Sequence, residues 1–301
     1  KKIYYTMSSI SGIQGLKPTI EIIKYTNKIA IANKEAIICG WDLIKKNLDK
    51  HKTEFIPVDS EHFSIWSVIK DVSPKEIDQI IITASGGPFF YDNNNKIKKT
   101  PKLATDHPNW SMGKKISTDS ATLMNKVFEV IEAKKIFNLD LNKFDIYIHP
   151  KSYIHAIVKF KNGLIKMVAH DTDMRIPILN SIYNNKSRIK SKKININLLN
   201  NLNLNRVDLK KYPSMKILKL IPNKNTLFET LLVSANDELV NLFLQNKISY
   251  EDIYVKLNKI INNKIFTKYR RKKVNNLRQI EKLNEFVRLK TKSLSVISKI
   301  K

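Results

Sequence analysis

The sequence predicts an α/β protein in three parts: a small parallel sheet, a mixed middle part of helices and strands, and a helical end. Three observations carry this. Short β-branched and aromatic runs flank a helix-like stretch near the start. Apolar and polar residues alternate around an Asn-Gly turn in the middle, and apolar residues at helical spacing fill the end.

Taken in order, Ile3 to Met7 is followed by Gly12 and Gly15, then by a helix expected to open near Pro18 and end near Asn27. A second apolar run covers Ile29 to Ala32. Strand, helix and strand in so few residues read as a parallel βαβ unit. Glu54 to Val58 and Ile80 to Ala84 are further strands, the latter running into Ser85-Gly86-Gly87-Pro88. Asp119 is the expected N-cap of one helix reaching about Phe137. Asp145 to Ile148, Ile154 to Phe160 and Leu164 to Ala169 are expected as antiparallel strands, with Asn162-Gly163 as the hairpin turn. Residues 184–211, rich in Asn, Lys and Leu, read as a linker, and residues 212–301 as a small helical domain.

Composition narrows the function classes. A hydrophobic fraction of 42%, with three Trp and twelve Phe, fits a globular chain. No apolar run approaches the roughly 18 residues a membrane span needs. No signal-peptide core follows Lys1, so a cytoplasmic protein without membrane partners is expected. Cys39 is the only cysteine, which excludes an intramolecular disulfide and a cysteine-based zinc site. Its apolar setting predicts a buried thiol. The net charge of +27 raises nucleic acid as a partner. The lysines, however, are dispersed among Asn and Ile, and Arg, the preferred base-reading residue, is scarce. Attraction to anionic substrates survives, and a dedicated nucleic-acid partner is not expected. A noncatalytic basic nucleic-acid-binding or scaffold derivative is the alternative reading.

Four constellations could carry chemistry. Asp59 and Glu61 follow a strand, and in extended backbone residues two apart point the same way, so their carboxylates could share a hard cation such as Mg²⁺ or Mn²⁺. An acidic surface turn is the competing reading. In the helix expected from Asp119, Ser120 would sit in a first turn suited to phosphate, with Asn125, Lys126 and Glu129 about a turn further on. A solvated Lys–Glu pair is the competing reading there. The Ser85-Gly86-Gly87 turn could approach a phosphate or be an ordinary tight turn. His107 to Gly113 suits a lid or a packed surface loop.

Their order and wording go further. Ala32-Asn33-Lys34-Glu35, Val58 to His62, Ser85 to Phe89, His107 to Gly113, Lys115 to Lys126, Ile131-Glu132-Ala133 and Ile148-His149-Pro150 closely resemble signature segments of the 1-deoxy-D-xylulose 5-phosphate reductoisomerase family. So do Asp173-Met174-Arg175 and Tyr212-Pro213-Ser214. The resemblance implies the remnant of a Rossmann-like parallel sheet over residues 1–58, an α+β catalytic domain over residues 59–183 and the C-terminal helical domain. It implies an NADPH-dependent enzyme, a homodimer, that rearranges and reduces a sugar phosphate in non-mevalonate isoprenoid biosynthesis.

It also implies residue roles. A divalent metal (Mg²⁺, Mn²⁺ or Co²⁺) would be held by Asp59, Glu61 and Glu129, and the substrate phosphate by Ser85, Ser120, Asn125 and Lys126, with His107 closing over it. Lys34, Ser60, Glu61 and Glu129 would meet the substrate's carbon chain and hydroxyls. Asn33, Glu35 and Gly113 would lie near the cofactor, and Trp110 and Met112 in the closing loop. Lys34, Glu61, Glu129 and His107 are the catalytic candidates. His149 is expected at the site border and His155 in simple packing, while His51, His62 and His170 receive no role. Three departures stand out. No glycine-rich dinucleotide turn is matched, so reductase activity is expected to be very low unless that part is supplied. Ala84 and His170 stand where the family usually has glycine.

Overall fold

The computed structural model describes residues 1–92, 96–183, 188–189 and 191–296. Strand β1 (Ile3–Ser8), helix α1 (Leu16–Ile23), strand β2 (Thr26–Ile31), helix α2 (Lys34–His51) and strand β3 (Glu54–Pro57) open the chain. The three strands form a parallel sheet in the order β1-β2-β3. Helix α1 starts a little earlier than expected, because proline is tolerated in a first turn whose N–H groups lack helical partners. It also stops earlier, and Asn27 already belongs to β2. Asn33 caps α2 by accepting from the Ala36 N–H at 3.0 Å. Ile37, Trp41, Ile44 and Leu48 then bury one helix face at i, i+4, i+7 spacing.

Helix α3 (Ser60–Ile69), strand β4 (Ile77–Ala84), helices α4 (Pro101–Thr105), α5 (Lys114–Ala121) and α6 (Met124–Phe137), and strands β5 (Phe144–Ile148), β6 (Ile154–Phe160) and β7 (Ile165–Ala169) follow. The single helix expected from Asp119 is therefore two. Leu123 takes a left-handed conformation (φ 57°), and Asp119 lies buried inside α5 rather than capping anything. A second correction concerns the sheet. Strand β5 pairs parallel with β4 rather than antiparallel with β6, because three helices intervene and carry the chain back to the same end. Only β6 and β7 form the expected hairpin, with Gly163 at φ 86° in its turn. The mixed sheet has the order β7-β6-β4-β5, with a short strand β8 (Asn205–Arg206) beyond β5. Ile80 and Ile82 of β4 and Ala156, Val158 and Phe160 of β6 alternate inward against Ile65, Ile69 and Val130 of α3 and α6.

Helices α7 (Arg175–Tyr183) and α8 (Ile196–Asn200) precede strand β8 (Asn205–Arg206), which pairs antiparallel with β5. Residues 184–187 and 190 of the expected linker lie outside the described residues. After Pro213 the helical spacing gives a 3-10 stretch, Pro213–Leu220, before α9 (Phe228–Leu244), α10 (Tyr250–Ile261) and α11 (Leu277–Val296). Helix α9 is buried on nearly all sides, its polar residues included. It runs through the larger core, where it meets α2, α6, α10 and α11. Cys39 is buried there, as its setting predicts, and burial pushes its thiol upward from the ordinary range.

Candidate active site

A cavity of about 540 Å³ opens where the carboxyl ends of β1, β2 and β4 meet α3, α5 and α6. Crevices of this kind, at the carboxyl ends of parallel strands, are where open α/β sheets bind ligands. Asn33, Lys34, Glu35, Asp59, Ser60, Glu61, Ser85, His107, Gly113, Ser120, Asn125, Lys126 and Glu129 all line it.

Asp59, Glu61 and Glu129 each place a carboxylate oxygen within 4.8 Å of the others. The local geometry differs from the extended one expected. Asp59 caps α3, accepting from the Glu61 N–H at 3.2 Å, and Glu61 stands in the first helical turn. Ser60 Oγ donates to Glu61 Oε2 at 2.7 Å. Burial, together with the Glu61 and Asp59 charges, pushes Glu129 up to about 8. Lys126 Nζ lies 2.7 Å from Glu61 Oε1 and 2.6 Å from Glu129 Oε2, so one ammonium is shared by two carboxyl groups. Three hard-oxygen donors crowded within reach of one point, with only one ammonium between two of them, fit a divalent cation.

A second group lies behind the first. Lys34 Nζ bridges Asp59 Oδ2 at 3.0 Å and Glu132 Oε2 at 2.6 Å. His62 has no exposed surface. Its Nδ1 meets Asp59 Oδ1 at 2.8 Å and its Nε2 meets the Glu129 carbonyl at 2.9 Å. Burial opposes its charge, but Glu132 and Asp59 prevail and raise it to about 9. The Asp59, His62 and Glu132 ligand atoms also lie within 4.8 Å of one another. With Lys34 seated between the two carboxylates and both His62 nitrogens engaged, this set braces the first rather than offering a second cation site. Sequence reasoning missed His62 and Glu132. The signal was the three-residue spacing from Asp59 and from Glu129, which puts each beside its partner on a helix.

On the opposite wall, His107 Nδ1 accepts from the Asn109 and Trp110 N–H groups, each at 3.1 Å. Nε2 therefore carries the proton and donates to Ser85 Oγ at 3.0 Å. Burial and nearby Lys126 lower His107 to about 4, so it is neutral at physiological pH. Ser120 is in the last turn of α5, not in a first turn, so helix-start amides do not surround it. Asn125 and Lys126 open α6 instead. Asn109 Nδ2 donates to the Pro150 carbonyl at 2.6 Å and to Ser152 Oγ at 3.0 Å, tying the loop down. Trp110 meets His155 edge-on, and His155 stacks on His170 at 3.7 Å. His155 packs as expected, against Trp110 and His170, and also lines the cavity, while His149, expected at the border, bonds the Leu202 carbonyl away from the lining. Period-two alternation says which residues share a face, not which face is inward.

On the remaining side, Asn33 is committed to structure, with its Nδ2 donating to the Ile10 and Gly12 carbonyls. Glu35 pairs with Lys115 at 2.9 Å, and Lys115 also reaches Asp119 at 2.9 Å and Asp237 at 3.0 Å. A side chain at Gly113 would meet nothing within 4 Å. That edge is open.

The buried histidine gives a pH prediction. His155 is lowered to about 4, burial being the main cause and His170 the next. The unfolded chain protonates first as pH falls, so stability is complete above about 6.5 and lost toward 4, by on the order of 3 kcal/mol. Urea midpoints measured across that window should fall, and His155→Gln should flatten the decline.

Family models for the 1-deoxy-D-xylulose 5-phosphate reductoisomerase match residues 1–40, its C-terminal domain residues 55–137, and a further C-terminal domain of the same enzyme residues 170–290. The 1-deoxy-D-xylulose 5-phosphate reductoisomerase of Pelagibacter ubique is 58% identical over 300 residues, covering 98% of this chain and 76% of that protein. The enzyme of the same name from a Sulfurihydrogenibium species is 40% identical over 82% of this chain and 66% of its own. Among solved structures, the Zymomonas mobilis reductoisomerase in complex with NADPH superposes with a TM-score of 0.86 at 30% identity, over 97% of this chain and 75% of that one. A DOX-P reductoisomerase in complex with NADPH, fosmidomycin and magnesium gives 0.89 at 29% identity, over 99% and 77%.

Proposed function

Because the chain belongs to the 1-deoxy-D-xylulose 5-phosphate reductoisomerase family, we propose that its cavity serves the NADPH-dependent conversion of 1-deoxy-D-xylulose 5-phosphate to 2-C-methyl-D-erythritol 4-phosphate. The observation that carries this reading is the convergence of the Asp59, Glu61 and Glu129 carboxylates beside Ser85, Ser120, Asn125 and Lys126. Asp59, Glu61 and Glu129 hold the divalent cation. The four phosphate-side residues, with His107 over them, hold the anion. A divalent cation there would supply charge stabilisation for the substrate oxygens during the carbon–carbon rearrangement, and NADPH would supply the hydride for the reduction.

The chain's own residues do the rest. Glu132 and Asp59 keep Lys34 charged and aimed into the cavity, where it meets the substrate's hydroxyl oxygens. Ser60, through its bond to Glu61, fixes that carboxylate's rotamer. The neutral His107, donating from Nε2, orients Ser85. The loop carrying Trp110 and Met112 excludes water from the reacting carbons. Of the cofactor-side positions Asn33, Glu35 and Gly113, direct contact is proposed for the open edge at Gly113, with Asn33 and Glu35 shaping that side through the Ile10 and Gly12 carbonyls and Lys115.

The same reading assigns residues 1–58 to the NADPH-binding domain, 59–183 to the catalytic domain, 184–211 to a linker and 212–301 to the helical domain. A homodimer is part of it. Its support is the edge strand β7, where Ile165 and Met167 stand 61% and 57% exposed, with Leu164 just before it 57% exposed. A cytoplasmic setting is proposed too, in keeping with a lone reduced thiol at Cys39.

Calorimetric titration with 1-deoxy-D-xylulose 5-phosphate, with and without Mg²⁺, tests the reading. Binding that requires the cation is expected. No binding at saturating Mg²⁺ or Mn²⁺ would overturn it.

A further inference from the structure

The anion side of the cavity is made of two backbone segments that regular secondary structure leaves incomplete. One is the Ser85-Gly86-Gly87 turn after β4. The other is the break between α5 and α6, where the left-handed Leu123 interrupts the helical ladder and the last carbonyls of α5 lose their partners. Three hydroxyls from far along the chain take up those carbonyls. Tyr250 donates to the Ala121 carbonyl at 2.6 Å, Ser214 to the Thr122 carbonyl, and Tyr212 to the Gly86 carbonyl at 2.7 Å. Tyr212 and Ser214 are each 3% exposed, and the Tyr250 ring is held edge-on by Phe89 and Phe243. The two segments also press directly on each other. A Cβ placed on Gly87 would come within 2.8 Å of Ala121 Cα, so the turn packs against the end of α5 backbone to backbone.

The spacing between Ser85 on one segment and Ser120, Asn125 and Lys126 on the other is therefore set from outside the cavity. We propose that Tyr212, Ser214 and Tyr250 are positioning residues for phosphate recognition, locking the turn and the broken helix at the separation a phosphate needs. The inference rests on the phosphate-side reading given above. Each hydroxyl takes up a carbonyl that regular secondary structure leaves without a partner, in a bond that is buried at Gly86 and partly buried at Ala121 and Thr122, and none of the three side chains lines the cavity.

The test is a titration of the wild type, Tyr250→Phe, Ser214→Ala and their double variant, all with Mg²⁺. Two ligands are compared: 1-deoxy-D-xylulose 5-phosphate and the unphosphorylated sugar. Mn²⁺ binding, read by electron paramagnetic resonance, monitors the carboxylate site. The double variant should lose about tenfold or more in affinity for the sugar phosphate, with Mn²⁺ and the unphosphorylated sugar changed less than about twofold. Ser214→Thr should behave as wild type. Equal loss for both sugars would reduce the three hydroxyls to general packing, and unchanged sugar-phosphate affinity would remove their role. A wild type that does not distinguish the two sugars overturns the phosphate reading itself, a different failure. Tyr250→Phe alone keeps the ring contacts and decides the matter should the double variant unfold.

Discussion

Glu129→Gln should lower affinity for Mg²⁺ or Mn²⁺ by roughly a hundredfold or more while leaving the metal-free fold intact. The two halves of that expectation have one cause. In the absence of a cation Glu129 is pushed up to about 8 by burial and by the Glu61 carboxylate, so near neutrality it is largely uncharged and glutamine mimics it closely. The Asn125 amide and the Lys126 ammonium that surround it lose little. A cation, in contrast, needs the third anionic oxygen, and glutamine offers only a neutral carbonyl in its place. Mn²⁺ titration beside thermal unfolding checks both halves. A variant that binds Mn²⁺ as the wild type does would show that Glu129 is no ligand.

Lys135→Met should destabilise the chain by about 3–5 kcal/mol, although it lies away from the cavity. Lys135 Nζ is 3.3 Å from Glu229 Oε1, and their side chains are 3% and 0% exposed. The pair joins α6 to α9 in the larger core. Removing the ammonium leaves a carboxylate in apolar surroundings, whose hydrogen bonds from the Thr226 N–H and hydroxyl go to the other oxygen. Adding Glu229→Gln should recover much of the loss, because the charge leaves with its partner. Denaturant midpoints for the single and double variants measure this. A single variant within about 1 kcal/mol of wild type would contradict it.

The sequence made some of this visible and hid the rest for definable reasons. Asp59, Glu61 and Glu129 could be picked out as one set only through the family resemblance, since two acidic residues after a strand read equally well as a surface turn and nothing local joins them to a later helix. Glu132 could not, since a glutamate three residues after another on a helix reads as a solvated charge until burial is known. The break between α5 and α6 has no glycine or proline to announce it. It exists because Ser214 and Tyr250, about a hundred residues away in sequence, complete its backbone bonds. The direction of β5 was hidden in the same way, as alternation is identical in parallel and antiparallel pairs and only the long helical connection decides. Hairpin β6–β7 was legible because its turn residues are local.

The most direct measurement is a crystal structure of the chain with Mn²⁺, with the ion located by its anomalous scattering. A single peak at about 2.0–2.3 Å from oxygens of Asp59, Glu61 and Glu129 is the predicted result. A peak among Asp59, His62 and Glu132 instead, or none near Glu129, would contradict it.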